Sequence, residues 1–236
     1  HTLACFADAS ADLETEEQWE AMRPEATGDY IQAVLAVARG QVGYTESTRN
    51  YIVDENNNLK GYTRYGAWYG APYSDWSSLF VSFCLHYAKV PQVPQQASCS
   101  AWVSALEARG MYEKAKTHEP QPGDIVFFDW DTDGFADHVG LVETIQEDGS
   151  LITIEGNRAN AVTRGEYTKQ DSSLLGYGIV PVGELHEISS PENTDAPVTE
   201  QTIQAVIYTD ETLQQRSEDE TIIRITGMLP ADATAR

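Results

Sequence analysis

The stretch HVGLVETIQEDGSLITIEGN, residues 138–157, holds two apolar runs separated by Asp148-Gly149. An Asp-Gly pair between such runs is a strong local signal for a tight antiparallel hairpin. A two-residue turn there sets His138 opposite Ala159 and Leu141 opposite Gly156. Side chains alternate along a strand, so His138, Glu155 and Asn157 are expected on one face of the sheet. On this register Asn157 is the nearer diagonal neighbour of His138 and Glu155 lies further along; a bulge would reverse the order.

The hairpin is preceded by Pro122-Gly123-Asp124, a turn, and by the apolar run Ile125–Phe128, a strand; Tyr177–Val182 reads as another. The chain before it is patterned differently. Ile31, Val34, Leu35 and Ala38 recur at helical spacing behind a capping Asp29, giving a helix to about Val42. A second helix runs from about Asp75 to Ala88, with Leu79, Phe80, Phe83, Cys84 and Tyr87 on one face, and a third from about Ser100 to Ala108. Helices followed by an antiparallel sheet specify an α+β domain.

With 236 residues the chain has room for that domain and a smaller neighbour. Residues 1–29 form an acidic lead-in with a short helix around Glu16–Met22, and 30–185 the α+β domain. Residues 186–199 are a linker around SSPENTDAP, and 200–236 the start of a truncated β module with strands at Gln204–Tyr208 and Thr221–Thr226. The formal net charge of −22 argues against nucleic acid and anionic lipid as partners. No apolar run reaches the roughly 20 residues of a membrane span. Three cysteines, Cys5, Cys84 and Cys99, make no disulfide framework, and Cys84 sits in an apolar helix pattern. His1 and Cys5 offer half a metal site at most. Asp54, Asn56 and Asn58 alternate as in a calcium loop, but Tyr65 stands where the bidentate glutamate belongs, and a plain hairpin is the better reading.

Of the five histidines, only His138 sits where a loop, Asp129–Asp137, enters an apolar strand. That position suits a general base, with Glu155 or Asn157 holding its tautomer. Ser77 falls in the first turn of the second helix, where free N–H groups favour negative charge. A cysteine there gains a stabilised thiolate, whereas a serine gains far less. On spacing alone, Ser74, Asp75, Ser77 and Ser78 are better read as helix-capping residues.

Trp68-Tyr69-Gly70, the segment Asp75–Cys84 (DWSSLFVSFC), Pro122–Phe127, Asp137-His138-Val139-Gly140 and Ile154-Glu155-Gly156-Asn157 together resemble the CHAP family. These are cysteine, histidine-dependent amidohydrolases/peptidases of bacterial cell walls with a papain-like fold. The resemblance covers about residues 30–182 and implies a nucleophile at position 77, a base at His138, and Glu155 with Asn157 as its polar partners. It also implies cleavage of a peptidoglycan amide bond, without cofactor or metal, by a secreted or cell-surface protein of a Gram-positive bacterium, expected as a monomer. One departure stands out: the family pattern has Cys where this chain has Ser77. The chain is therefore expected to lack its thiolate, either as a replaced nucleophile or as a variant that binds wall peptide without cutting it. Tyr65, Trp68, Tyr69, Tyr73 and Trp76 are the expected groove wall, although packing between helix and sheet is the competing role for at least half of them.

Overall fold

A computed structural model describes residues 8–24 and 29–181. The expected linker, the strands at 204–208 and 221–226, and the His1–Cys5 pair lie outside the described residues. The described elements, in chain order, are α1 (Glu16–Glu20), α2 (Tyr30–Gln41), β1 (Tyr51–Val53), β2 (Leu59–Gly61), α3 (Arg64–Tyr69), α4 (Ser77–Tyr87), α5 (Cys99–Glu107), β3 (Tyr112–Lys114), β4 (Ile125–Phe128), β5 (His138–Ile145), β6 (Leu151–Arg158), β7 (Ala161–Tyr167) and β8 (Leu174–Gly178). The architecture is α+β, with the helices on a six-stranded antiparallel sheet of order β3-β8-β4-β5-β6-β7.

Alternation along β4 and β5 gives the sheet two buried sides. Ile125, Phe127, Val139, Leu141 and Ile154 join the core formed with Leu35 of α2 and with Leu79, Phe80 and Phe83 of α4. Val126, Phe128, Val142 and Leu151 fill a second, smaller cluster with Tyr177. Helix α4 is apolar on nearly all sides, as a central helix must be. It can lie close to the sheet because residue 156 is glycine: a Cβ there would stand 2.4 Å from that of Phe80.

The hairpin register differs from the expected one. Near the turn Ile145 pairs with Leu151 and Thr144 with Ile152; an irregularity between Val142 and Thr144 then shifts the pairing, so that Leu141 faces Ile154 and Gly140 faces Glu155. The shift preserves which residues share a face but draws Glu155 toward His138. Beyond it, a second irregularity between Glu155 and Arg158 puts Asn157 in the left-handed region, at φ 60°.

The lead-in is tied to the domain by polar contacts. The buried Asn50 carboxamide donates to the carbonyls of Ala9 (3.3 Å) and Ala11 (3.0 Å). Asp12 accepts from Ser47 and Arg49, and Glu14 from Arg64. Helix α1 carries a reciprocal cap between Thr15 and Gln18. Asp54, in turn, spends its carboxylate on the backbone N–H groups of Asn56 and Asn58 and on the Asn58 amide, which closes the β1–β2 hairpin.

Candidate active site

His138 is the first residue of β5, at the rim of the sheet, and its side chain is 5% exposed. The ring Nε2 bonds Glu155 Oε2 at 3.0 Å. Since a carboxylate only accepts, Nε2 carries the hydrogen of this bond, and Nδ1 makes no hydrogen bond among the described residues. Glu155 is fully buried and held on several sides: Thr153 donates its hydroxyl at 2.5 Å, Tyr167 at 3.2 Å, and the Arg158 guanidinium stands at 3.4 Å. Burial alone would raise its carboxyl, but the hydrogen bonds from His138 and Thr153 and the charges of His138 and Arg158 hold it below the ordinary glutamate range. It is thus an anion at neutral pH, fit to orient an imidazole and stabilise its charged form. Asn157 is half-buried, and its side chain forms no hydrogen bond among the described residues.

Ser77 opens α4 and is 9% exposed. It makes no hydrogen bond to His138 among the described residues; its hydroxyl lies 3.6 Å from Cys99 Sγ. The same sulfur is 3.1 Å from Ser78 Oγ and 3.7 Å from the carbonyl oxygen of Asp137, the residue before His138. Cys99 therefore stands between the start of α4 and the start of β5. The reading of the sequence passed over it because it placed the third helix from Ser100 and weighed Cys99 only for disulfides. The usable signal was a Cys on the first helical turn of a chain lacking the expected one at position 77.

The expected groove wall needs correction. Tyr65 and Trp76 are wholly buried: their rings stack at 5.1 Å, Tyr65 OH bonds Gln41, and Trp76 Nε1 donates to Glu46. They pack α3 and α4 into the core and have no face left for a substrate. Trp68 packs on His86 and Tyr87 in the last turn of α4, about 14 Å along the axis from Ser77 at 1.5 Å per residue. Tyr69 is exposed, while Tyr73 is half-buried and donates its hydroxyl to Asn50. The aromatic group beside the histidine comes instead from the Asp129–Asp137 loop. Trp130, 54% exposed, stacks on the His138 ring at 4.8 Å, and Phe135 is 65% exposed.

Within that loop Asp129, Asp131 and Asp137 bring carboxylate oxygens within 4.8 Å of one another, a geometry open to a hard cation. Asp129 already accepts from the N–H groups of Asp133 and Gly134, and Asp137 from that of Trp130, so the carboxylates also close the loop. A cavity of about 860 Å³ is lined by Asp12, Tyr44, Glu46 and Asn160 among others, but not by Ser77, Cys99, His138 or Glu155.

Residues 61–157 match the family model of the CHAP domain. Over this segment the chain is similar to the CHAP domain. The match spans α4, Cys99, His138 and Glu155, and ends on Asn157. A search of curated proteins gave no match. Among solved structures, the crystal structure of Ly7917 is 18% identical with a TM-score of 0.41, covering 64% of this chain and 62% of that one. The crystal structure of Ly7917 with the hydrolyzing product of MDP is 18% identical with a TM-score of 0.39, at 64% and 63% coverage. The chain thus spans less than two thirds of those structures.

Proposed function

We propose that this CHAP domain hydrolyses an amide bond of peptidoglycan, either between muramic acid and the stem peptide or within the stem or cross-bridge. The observation that carries the reading is the buried His138–Glu155 pair, joined at 3.0 Å inside the CHAP segment. In this reading His138 takes the nucleophile's proton on Nδ1 and returns it to the leaving amine, while Glu155 holds the ring and stabilises the imidazolium. Helix α4 begins at Trp76 without a side-chain cap, which leaves the N–H groups of its first turn for the developing oxyanion. Trp130 offers an exposed apolar face on which the substrate rests beside the imidazole. The work is done at the bacterial surface or outside the cell.

Position 77 favours a second reading. A serine in place of the thiol makes a wall-binding module that retains the family's pocket without its turnover. The two readings separate in an assay for new amino groups released from purified Gram-positive walls. The chain as it stands and its Ser77→Cys variant are each compared with a His138→Ala counterpart. Release that vanishes with His138→Ala, in either background, supports the hydrolase; wall binding without release in all four forms supports the module.

A further inference from the structure

We propose that Cys99, at the start of α5, supplies the nucleophile that position 77 lacks, so that the chain as it stands is an active thiol amidohydrolase. The inference rests on the hydrolase reading above and concerns which sulfur performs it. Its first support is position. A side chain at residue 77 already ends 3.6 Å from Cys99 Sγ, so the sulfur stands at the same mouth of α4 that the family's nucleophile occupies. The second is attachment to the base. Cys99 Sγ lies 3.7 Å from the Asp137 carbonyl, and the neighbouring Ser100 hydroxyl donates to that of Ala136 at 3.3 Å. The start of α5 is thereby fastened to the chain that leads into His138. The third is elimination: Cys84 is completely buried seven residues down α4, and burial pushes its thiol well up.

The surroundings equip Cys99 for attack assisted by a base. Burial raises its thiol, and the hydroxyls of Ser78 and Ser77 offset part of that rise. The thiol is therefore protonated at rest and needs a partner at the moment of reaction. Among the described residues the only hydrogen bond of the His138 ring leaves from Nε2, so Nδ1 is the ring atom left to exchange a proton with the thiol. On attack the S–H proton passes to His138 Nδ1 and a C–S bond forms at the amide carbonyl, whose oxygen takes the negative charge. Collapse breaks the C–N bond, and the imidazolium gives its proton to the leaving amine. Water then attacks the thioester, losing a proton to His138; the C–S bond breaks and the thiolate recovers that proton.

The test uses the full chain, Cys99→Ser, and Ser77→Cys combined with Cys99→Ser, all assayed for amine release from purified walls and checked for an unchanged thermal melt. The proposal expects release by the unmutated chain and a loss of at least 100-fold in Cys99→Ser. It also expects iodoacetamide to alkylate Cys99 in the unmutated chain, located by peptide mass, and His138→Ala to slow that alkylation. Undiminished release by Cys99→Ser overturns the proposal, as does a silent unmutated chain beside an active Ser77→Cys/Cys99→Ser form; both leave the hydrolase reading standing. Silence of all three forms removes the hydrolase reading itself. Should Cys99→Ser melt early, the alkylation of the unmutated chain decides, and failure of Cys99 to react counts against the assignment.

Discussion

Helix α5 opens beneath the hydroxyl of Ser98, which accepts from the Ala101 N–H, whereas α4 opens at Trp76 with no side chain over its first turn. Helices α1, α2 and α3 follow α5, with Thr15, Asp29 and Thr63 as their caps. A cap contributes about 1 kcal/mol and occupies N–H groups that would otherwise bind something else. Helix α4 forgoes that contribution at the end lying against Cys99. Its stability comes from burial of nearly every residue it contains, which leaves its first turn without a side-chain cap. The difference teaches that α5 combines a capped start with the buried Trp102 and Leu106, whereas α4 is held by its flanks.

The comparison can be broken at several points. Removing a flank contact should cost most: Trp76→Ala deletes a fully buried indole and is expected to destabilise the domain by about 3–5 kcal/mol in chemical denaturation. Trp130→Ala, at the exposed rim, should change stability by less than about 0.5 kcal/mol and act instead on substrate binding, read as a rise in KM. Next in size is the orienting carboxylate. Glu155→Gln should lower the rate by about 10²–10⁴-fold, measured as amine release, with secondary structure retained. Ser98→Ala should cost about 1 kcal/mol, a loss for which α4 has no counterpart, checked by the shift in denaturation midpoint.

The smallest effect concerns pH. Glu143 on β5 accepts from Arg164 on β7 and from Arg39 on α2. The Arg164 hydrogen bond, opposed by burial and aided by that of Arg39, holds its carboxyl below the ordinary value. A depressed folded-state carboxyl adds stability above its unfolded pKa of about 4.3, and that share is lost as pH falls through the folded value. The melting temperature should therefore drop on acidification, with a shallower slope in Glu143→Gln.

Long apolar periodicity was the legible part of this chain. The expected helices at 29–42, 75–88 and 100–108 are found as Tyr30–Gln41, Ser77–Tyr87 and Cys99–Glu107, because core packing dictated the residues that pattern reading uses. The expected strand at 177–182 is found earlier, as Leu174–Gly178, since two glycines dilute its signal. Gly176 is needed there because a Cβ would stand 2.3 Å from the Tyr112 hydroxyl on β3, a tertiary demand invisible locally. Short α3 and β3 escaped for want of length. At the site, alternation placed Glu155 and Asn157 on the face of His138, but the ladder irregularity that brings Glu155 into contact leaves no mark in composition. The contacts of Trp130 and Cys99 could not be read beforehand because each meets its neighbours across a loop or between two helices, where spacing along the chain carries no information.

The amide of Asn50, anchored on the carbonyls of Ala9 and Ala11, bears on where this domain can be cut. A fragment trimmed to residue 30 would strip those oxygens and the carboxylate of Glu14 from side chains built to meet them, and one trimmed to residue 61 would lose Asn50 as well and leave Arg64 without Glu14. Such a fragment should be less soluble and easier to proteolyse than a longer one that keeps Ala9. The contacts that hold this domain thus begin well ahead of the segment that matches a known family.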